Sequence, residues 1–129
     1  MKIKLGQTEQ IHFVGIGGIG MSGLALIMKE LGFKVQGSDI SLNKNIERLK
    51  KKRIKVFIGH KASNLHKTTI LVKSSAIKKN NFEILFGRRK KIPIYSRGDM
   101  LGHVVSLMKN IVVAGSHGKT TTTSLISNI

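Results

Sequence analysis

The chain has 129 residues, 40% of them apolar and 22% charged; 23 Lys and Arg stand against 6 Asp and Glu, giving a net charge of +17, and there is no cysteine. That length supports one hydrophobic core and not two, and the missing cysteines exclude a disulfide framework or a thiolate metal site. No apolar leader opens the chain and no run approaches the roughly 18 apolar residues of a membrane span, so the expectation is a cytoplasmic globular protein with no membrane partner.

In chain order, IHFVGI (11–16) reads as a buried strand, and Leu24, Ile27, Met28 and Leu31 then recur on one face of a helix that Gly32 ends. FKVQGSD (33–39) is a second strand. Ser41 or Asn43 can cap a helix running to about Lys52, IKVFI (54–58) is a third strand, and TTILVKSS (68–75) a fourth. NFEILFGRRKK (81–91) reads as a helix interrupted by a glycine, IPIYS (92–96) as a short strand, and 98–108 as another helix. Alternation of this kind predicts an α/β fold, a Rossmann-like parallel sheet with helices on both faces and right-handed crossovers. NIVVAG (110–115) then reads as the first strand of a second unit, followed by its own loop and helix. The expected division is 1–108 for the Rossmann-like domain and 109–129 for the start of another.

Two glycine-rich loops carry the chemistry. In GIGGIG, Gly15, Gly17 and Gly20 have the spacing G-x-G-x-x-G between a strand and a helix. Gly15 permits the tight turn, Gly17 lets backbone approach a diphosphate, and Gly20 lets the helix pack close to the sheet. The helix start offers unpaired N–H groups and a partial positive charge, so an anion is expected there. Asp39, at the end of the second strand, is placed for a ribose or base contact. On this loop alone, a nicotinamide-dependent oxidoreductase is the default.

The second loop argues otherwise. GSHGKTTTT (115–123) departs from G-x-x-x-x-G-K-[ST], because Val113 stands where the first glycine belongs. The physical parts are nevertheless in place. Backbone amides of 116–120 would cradle phosphate oxygens, Lys119 would face the β- and γ-phosphates, and Thr120 or Thr121 would reach Mg²⁺, which implies ATP. His117 reads equally well as a turn residue.

The positive charge admits nucleic acid as a partner. Yet the lysines are spread along the whole chain, and the densest run, RLKKKRIK (48–55), falls on a helix end and its exit turn. With one Tyr, five Phe and no Trp, a base-stacking platform is poorly supplied, and no nucleic-acid-binding signature is present. The reading is no nucleic acid.

Taken together, IHFVGIGGIGMSGLA, GSD (37–39), GH (59–60), SSAI (74–77), IPIYSRGDML (92–101) and AGSHGKTTTT (114–123) resemble the N-terminal part of the Mur ligase family, in order and over almost the whole chain from Ile11. The resemblance implies that Gly15, Gly17, Gly18 and Gly20 hold the diphosphate of a UDP-sugar, that Asp39 and His60 lie near its nucleoside end, and that Ser74, Ser75 and Ala76 line the same cleft. Arg97 matches the arginine opening the family's R-A-E-M-L run. Here the run is RGDML, and Gly98 and Asp99 put any fixed role for Asp99 in doubt. Gly115, Ser116, His117, Gly118, Lys119, Thr120 and Thr121 match the family's ATP loop, with Ser116 in place of its usual Thr and Lys119 in the catalytic position.

The implied activity is ATP- and Mg²⁺-dependent joining of L-alanine to UDP-N-acetylmuramate through an acyl phosphate, in peptidoglycan biosynthesis. The alternatives are ligation of a recycled tripeptide to the same sugar nucleotide and, from another class, the NAD-binding oxidoreductase. The remainder of the family's ATP domain and its amino-acid-binding domain are not among the 129 residues, so the chain reads as an N-terminal fragment, inactive alone. Oligomeric state is left open.

Overall fold

The computed structural model describes residues 3, 5, 6 and 8–115, of which 111–115 by backbone alone. Its elements are β1 (Gln10–Val14), α1 (Ile19–Glu30), β2 (Lys34–Asp39), α2 (Lys44–Lys51), β3 (Lys55–Ile58), a 3₁₀ turn (Ala62–Leu65), β4 (Ile70–Lys73), α3 (Phe82–Arg89), β5 (Ile94–Ser96) and α4 (Arg97–Gly115). The five strands are parallel and lie in the order β3-β2-β1-β4-β5. The chain therefore moves outward from β1 in one direction, then crosses back to build β4 and β5 on the other side.

Successive residues of a strand point to opposite faces, and β1 shows what each face holds. Ile11 and Phe13 pack on one face with Leu24, Ala25 and Met28 of α1, Leu49 of α2, and Met100 and Val104 of α4. Val14 turns to the other face, where Leu71 of β4, Ile84 of α3 and Leu65 of the 3₁₀ turn form a smaller cluster. Each of the larger side chains, Ala25 apart, contributes about 1.5–3 kcal/mol on full burial. Helices on both faces of a parallel sheet are thus what the alternation of the sequence requires.

Local chemistry fixes the element ends. Asn43 caps α2, its side chain accepting from the Ile46 N–H at 3.0 Å, and Asn81 caps α3 by accepting from Glu83. Gly32, at φ 96°, closes α1 in the left-handed conformation. The glycine within α3, Gly87, does not interrupt the helix. A side chain there would run into Leu71 of β4, so its absence is what seats α3 on the sheet.

One expected element is not there. Residues 110–115, read as a strand opening a second unit, continue helix α4 to Gly115. A strand needs a neighbour for its backbone groups, and among the described residues no sheet other than the five-stranded one exists to supply it. A helix satisfies those groups internally, so the apolar run IVVA follows the preceding helix. Ser116, His117, Gly118, Lys119, Thr120 and Thr121 lie outside the described residues.

Candidate functional site

The carboxyl ends of the strands meet where the strand order reverses, between β1 and β4, the place where open parallel sheets bind ligands. Gly15 follows β1, Asp39 ends β2, His60 follows β3, Ser74 follows β4 and Arg97 follows β5. A cleft of about 520 Å³ opens there, lined by Gly15, Gly17, Gly18, Asp39, His60, Ser74 and Ala76 from the expected set. Gly20, Ser75 and Arg97 do not line it. Gly20 and Arg97 instead meet each other at the start of α1, and Ser75 is exposed on the turn after β4.

The β1–α1 turn is held rigidly from within. The N–H groups of Gly15 and Ile16 both donate to the Ser38 carbonyl, at 2.9 and 3.0 Å, and that of Gly18 donates to the Gly15 carbonyl. Gly15 has φ 87°, and a Cβ on it would meet Ser74 at 3.2 Å. Gly17 donates its N–H to the Asp39 carboxylate at 2.7 Å, the same oxygen that a Cβ on Gly17 would strike. The backbone of Gly17 is therefore engaged by the acid of β2, whose other oxygen accepts from the Ile40 N–H.

What remains for an anion is the first turn of α1. The N–H groups of Ile19, Gly20 and Met21 have no acceptor among the described residues, and Gly18 caps the helix without a side chain. These unpaired donors sit at the positive end of the helix dipole. The exposed Arg97 side chain reaches the same spot from β5 and adds a full charge. The unpaired donors and the cation at this end suit an anion, whereas Asp39 and His60 stand apart from them on the β2–β3 side.

Sequence reading missed Ile40, Asn43, Ile77, Lys78, Asn80 and Asn81, which complete the cleft. It also missed the layer beneath it. Glu83, wholly buried on α3, accepts four hydrogen bonds: His12 Nε2 at 2.8 Å and Ser38 Oγ at 2.6 Å on one oxygen, Asn64 Nδ2 at 2.8 Å and the Lys61 N–H at 3.1 Å on the other. Gln36 donates to His12 Nδ1 and to the Asn64 carbonyl, both at 2.8 Å. Ser38 Oγ also contacts His60 Nδ1 at 2.8 Å. Burial alone raises the pKa of Glu83. Against it, the hydrogen bonds from His12 first, then from the hydroxyl of Ser38 and the amide of Asn64, hold the carboxyl below its ordinary value.

A signal for this layer was present: His12, Gln36 and Ser38 alternate with apolar residues in strands buried on both faces, which places three polar groups on one side of the sheet. Among the described residues there is no cluster of three or more His, Cys, Asp or Glu able to hold a metal ion, and no helix long and apolar enough to cross a membrane.

Comparison with known proteins bears on this arrangement directly. The model of the Mur ligase family, catalytic domain, matches residues 10–109. The chain belongs to the Mur ligase family. Over all 129 residues it is 67% identical to a UDP-N-acetylmuramate–L-alanine ligase of Pelagibacter ubique, 28% of whose length it covers. Its fold matches the crystal structure of the UDP-N-acetylmuramate-alanine ligase of Thermotoga maritima with a TM-score of 0.75 and 36% identity, over 78% of this chain and 23% of that one. It also matches the UDP-N-acetylmuramate:L-alanyl-γ-D-glutamyl-meso-diaminopimelate ligase of Neisseria meningitides, with a TM-score of 0.65 and 32% identity, over 69% and 28% of the two chains. This Mur ligase chain spans about a quarter of the length of the relatives it matches.

Proposed function

We propose that residues 1–108 form the UDP-sugar-binding domain of an ATP-dependent ligase that joins L-alanine to UDP-N-acetylmuramate in peptidoglycan biosynthesis. The observation that carries this reading is a pair of environments at the β1/β4 reversal: a cleft lined by Gly18, Asp39 and His60 and, outside its lining and following on from Gly18, the unpaired amides of α1 beside Arg97. A diphosphate and a nucleoside need those two environments side by side. Ser74 and Ala76 form the wall facing the glycine turn, and Lys78 adds a flexible cation at the rim.

ATP and Mg²⁺ remain in the proposal on the strength of the Gly115–Thr121 sequence alone, with Lys119 facing the transferred phosphoryl group. Relatives named for L-alanine and for a tripeptide share this fold, so the tripeptide-linking activity is the second reading.

Calorimetric titration of the chain with UDP, UDP-N-acetylmuramate and NAD tests the assignment. Heat is expected with the two uridine nucleotides. Heat with NAD and none with either uridine nucleotide would return the site to an oxidoreductase.

A further inference from the structure

The side chains of the layer beneath the cleft reach the ligand side at His60, and the hydrogens along that route can be placed one by one. Glu83 is an acceptor at all four of its contacts, because Asn64 Nδ2 and the Lys61 N–H can only donate, and its carboxyl is held ionised. Ser38 has a single hydroxyl hydrogen. At 2.6 Å from Glu83 Oε1 that hydrogen must lie between the two oxygens, since otherwise two lone-pair-bearing atoms would face each other at contact distance in a dry interior. Ser38 Oγ is then left as an acceptor toward His60 Nδ1 at 2.8 Å, so Nδ1 carries the hydrogen. A neutral imidazole has only one N–H, so in the neutral ring Nε2 is a bare lone pair, with no partner among the described residues, on a side chain that lines the cleft and is 11% exposed.

We propose that Ser38 and Glu83 are positioning residues that lock His60 in the Nδ1–H tautomer, so that Nε2 meets the ligand as a hydrogen-bond acceptor and selects a nucleoside group that donates, either a ribose hydroxyl or the imide N–H of the base. The same carboxylate fixes His12 in the opposite tautomer: Gln36 donates to Nδ1, so Nε2 donates to Glu83. His12 is sealed in the core and His60 stands at the rim, so only His60 passes the arrangement on to a ligand. The ligand half of the proposal rests on the nucleotide reading of the cleft, whereas the tautomer half does not.

Long-range ¹H–¹⁵N correlation spectra of the full chain, labelled at histidine and recorded at mildly alkaline pH, read the tautomer without any mutation. His60 is expected to show a protonated Nδ1 and an unprotonated Nε2, and the reverse pattern overturns the relay. In Ser38→Ala the ring is expected to move toward the Nε2–H form, and UDP affinity to fall about five- to tenfold. An unchanged tautomer and affinity in that variant would refute the positioning role.

Two analogues, N3-methylated UDP and 2′-deoxy-UDP, identify the donor: the one that binds more weakly than UDP to the wild-type chain but not to Ser38→Ala has lost it. If neither does, Nε2 is not an acceptor for the ligand. A wild-type chain with the expected tautomer but no heat with UDP sinks the nucleotide reading and leaves the Glu83–Ser38–His60 assignment standing.

Discussion

Arg97 occupies the space that a side chain on Gly20 would fill. A Cβ built on Gly20 lies 2.9 Å from Arg97 Cδ, 3.0 Å from Nε and 3.1 Å from Cζ. The glycine thus brings a cation from the end of β5 onto the first turn of α1, where the unpaired amides are. Gly20→Ala should leave the fold intact, because the displaced atoms belong to an exposed, flexible side chain and alanine favours the helix by up to about 1 kcal/mol. UDP affinity should fall about tenfold as the charge is pushed off the phosphate position. Matched urea melts and calorimetry check both halves, and Arg97→Ala should lose affinity to a similar degree.

Gly37 tolerates no such change. A Cβ there would fall 2.5 Å from Ile16 Cδ1, 2.6 Å from Ile16 Cβ and 2.7 Å from the Phe13 carbonyl, in the packed layer between β2 and the glycine turn. Backbone cannot swing aside as an arginine can. Gly37→Ala should destabilise the chain by about 2–3 kcal/mol, seen as a lower urea midpoint.

The buried carboxylate gives stability a pH dependence of defined sign. Glu83 has a lower pKa folded than unfolded, so its contribution is fully present above the ordinary carboxylate range and is lost as pH falls through the depressed folded value. Glu83→Gln places an amide N–H against donors and should cost about 3 kcal/mol at neutral pH. The gap between wild type and variant should narrow as the medium is acidified. Urea midpoints measured from neutral to acidic pH test this, and a constant gap would contradict it.

Asn43 does two jobs at once. Its oxygen caps α2 on the Ile46 N–H, and its Nδ2 donates to the Gly17 carbonyl at 3.3 Å. Asn43→Ala should cost about 1 kcal/mol for the lost cap. Nucleotide affinity should drop about two- to threefold more than in an Asn45→Ala control, because both side chains reach the Gly17 carbonyl but only Asn43 lines the cleft.

The sheet and the glycine turn were legible in the sequence because both rest on local chemistry. Strand alternation, a cap at Asn43 and glycines at positions needing a positive φ or close approach are readable without knowing what lies opposite. The strand expected at 110–115 shows the converse, since a β-rich run specifies a strand only where a neighbouring strand can pair with it. The role of Gly17 was read as closeness to a ligand, and it is equally closeness to Asp39. Glu83 was invisible for a different reason: nothing local marks a carboxylate in NFEILF as the acceptor for groups from β1, β2 and the segment after β3.

His12 and Glu83 touch although 71 positions separate them. A contact so distant along the chain cannot close until β1, β2 and the turn after β3 are already docked and α3 is laid over them. Ser38, and through it the histidine at the cleft, therefore gains its acceptor on Glu83 only once α3 is in place, which ties the order of the cleft to the docking of a helix on the opposite side of the sheet from α1.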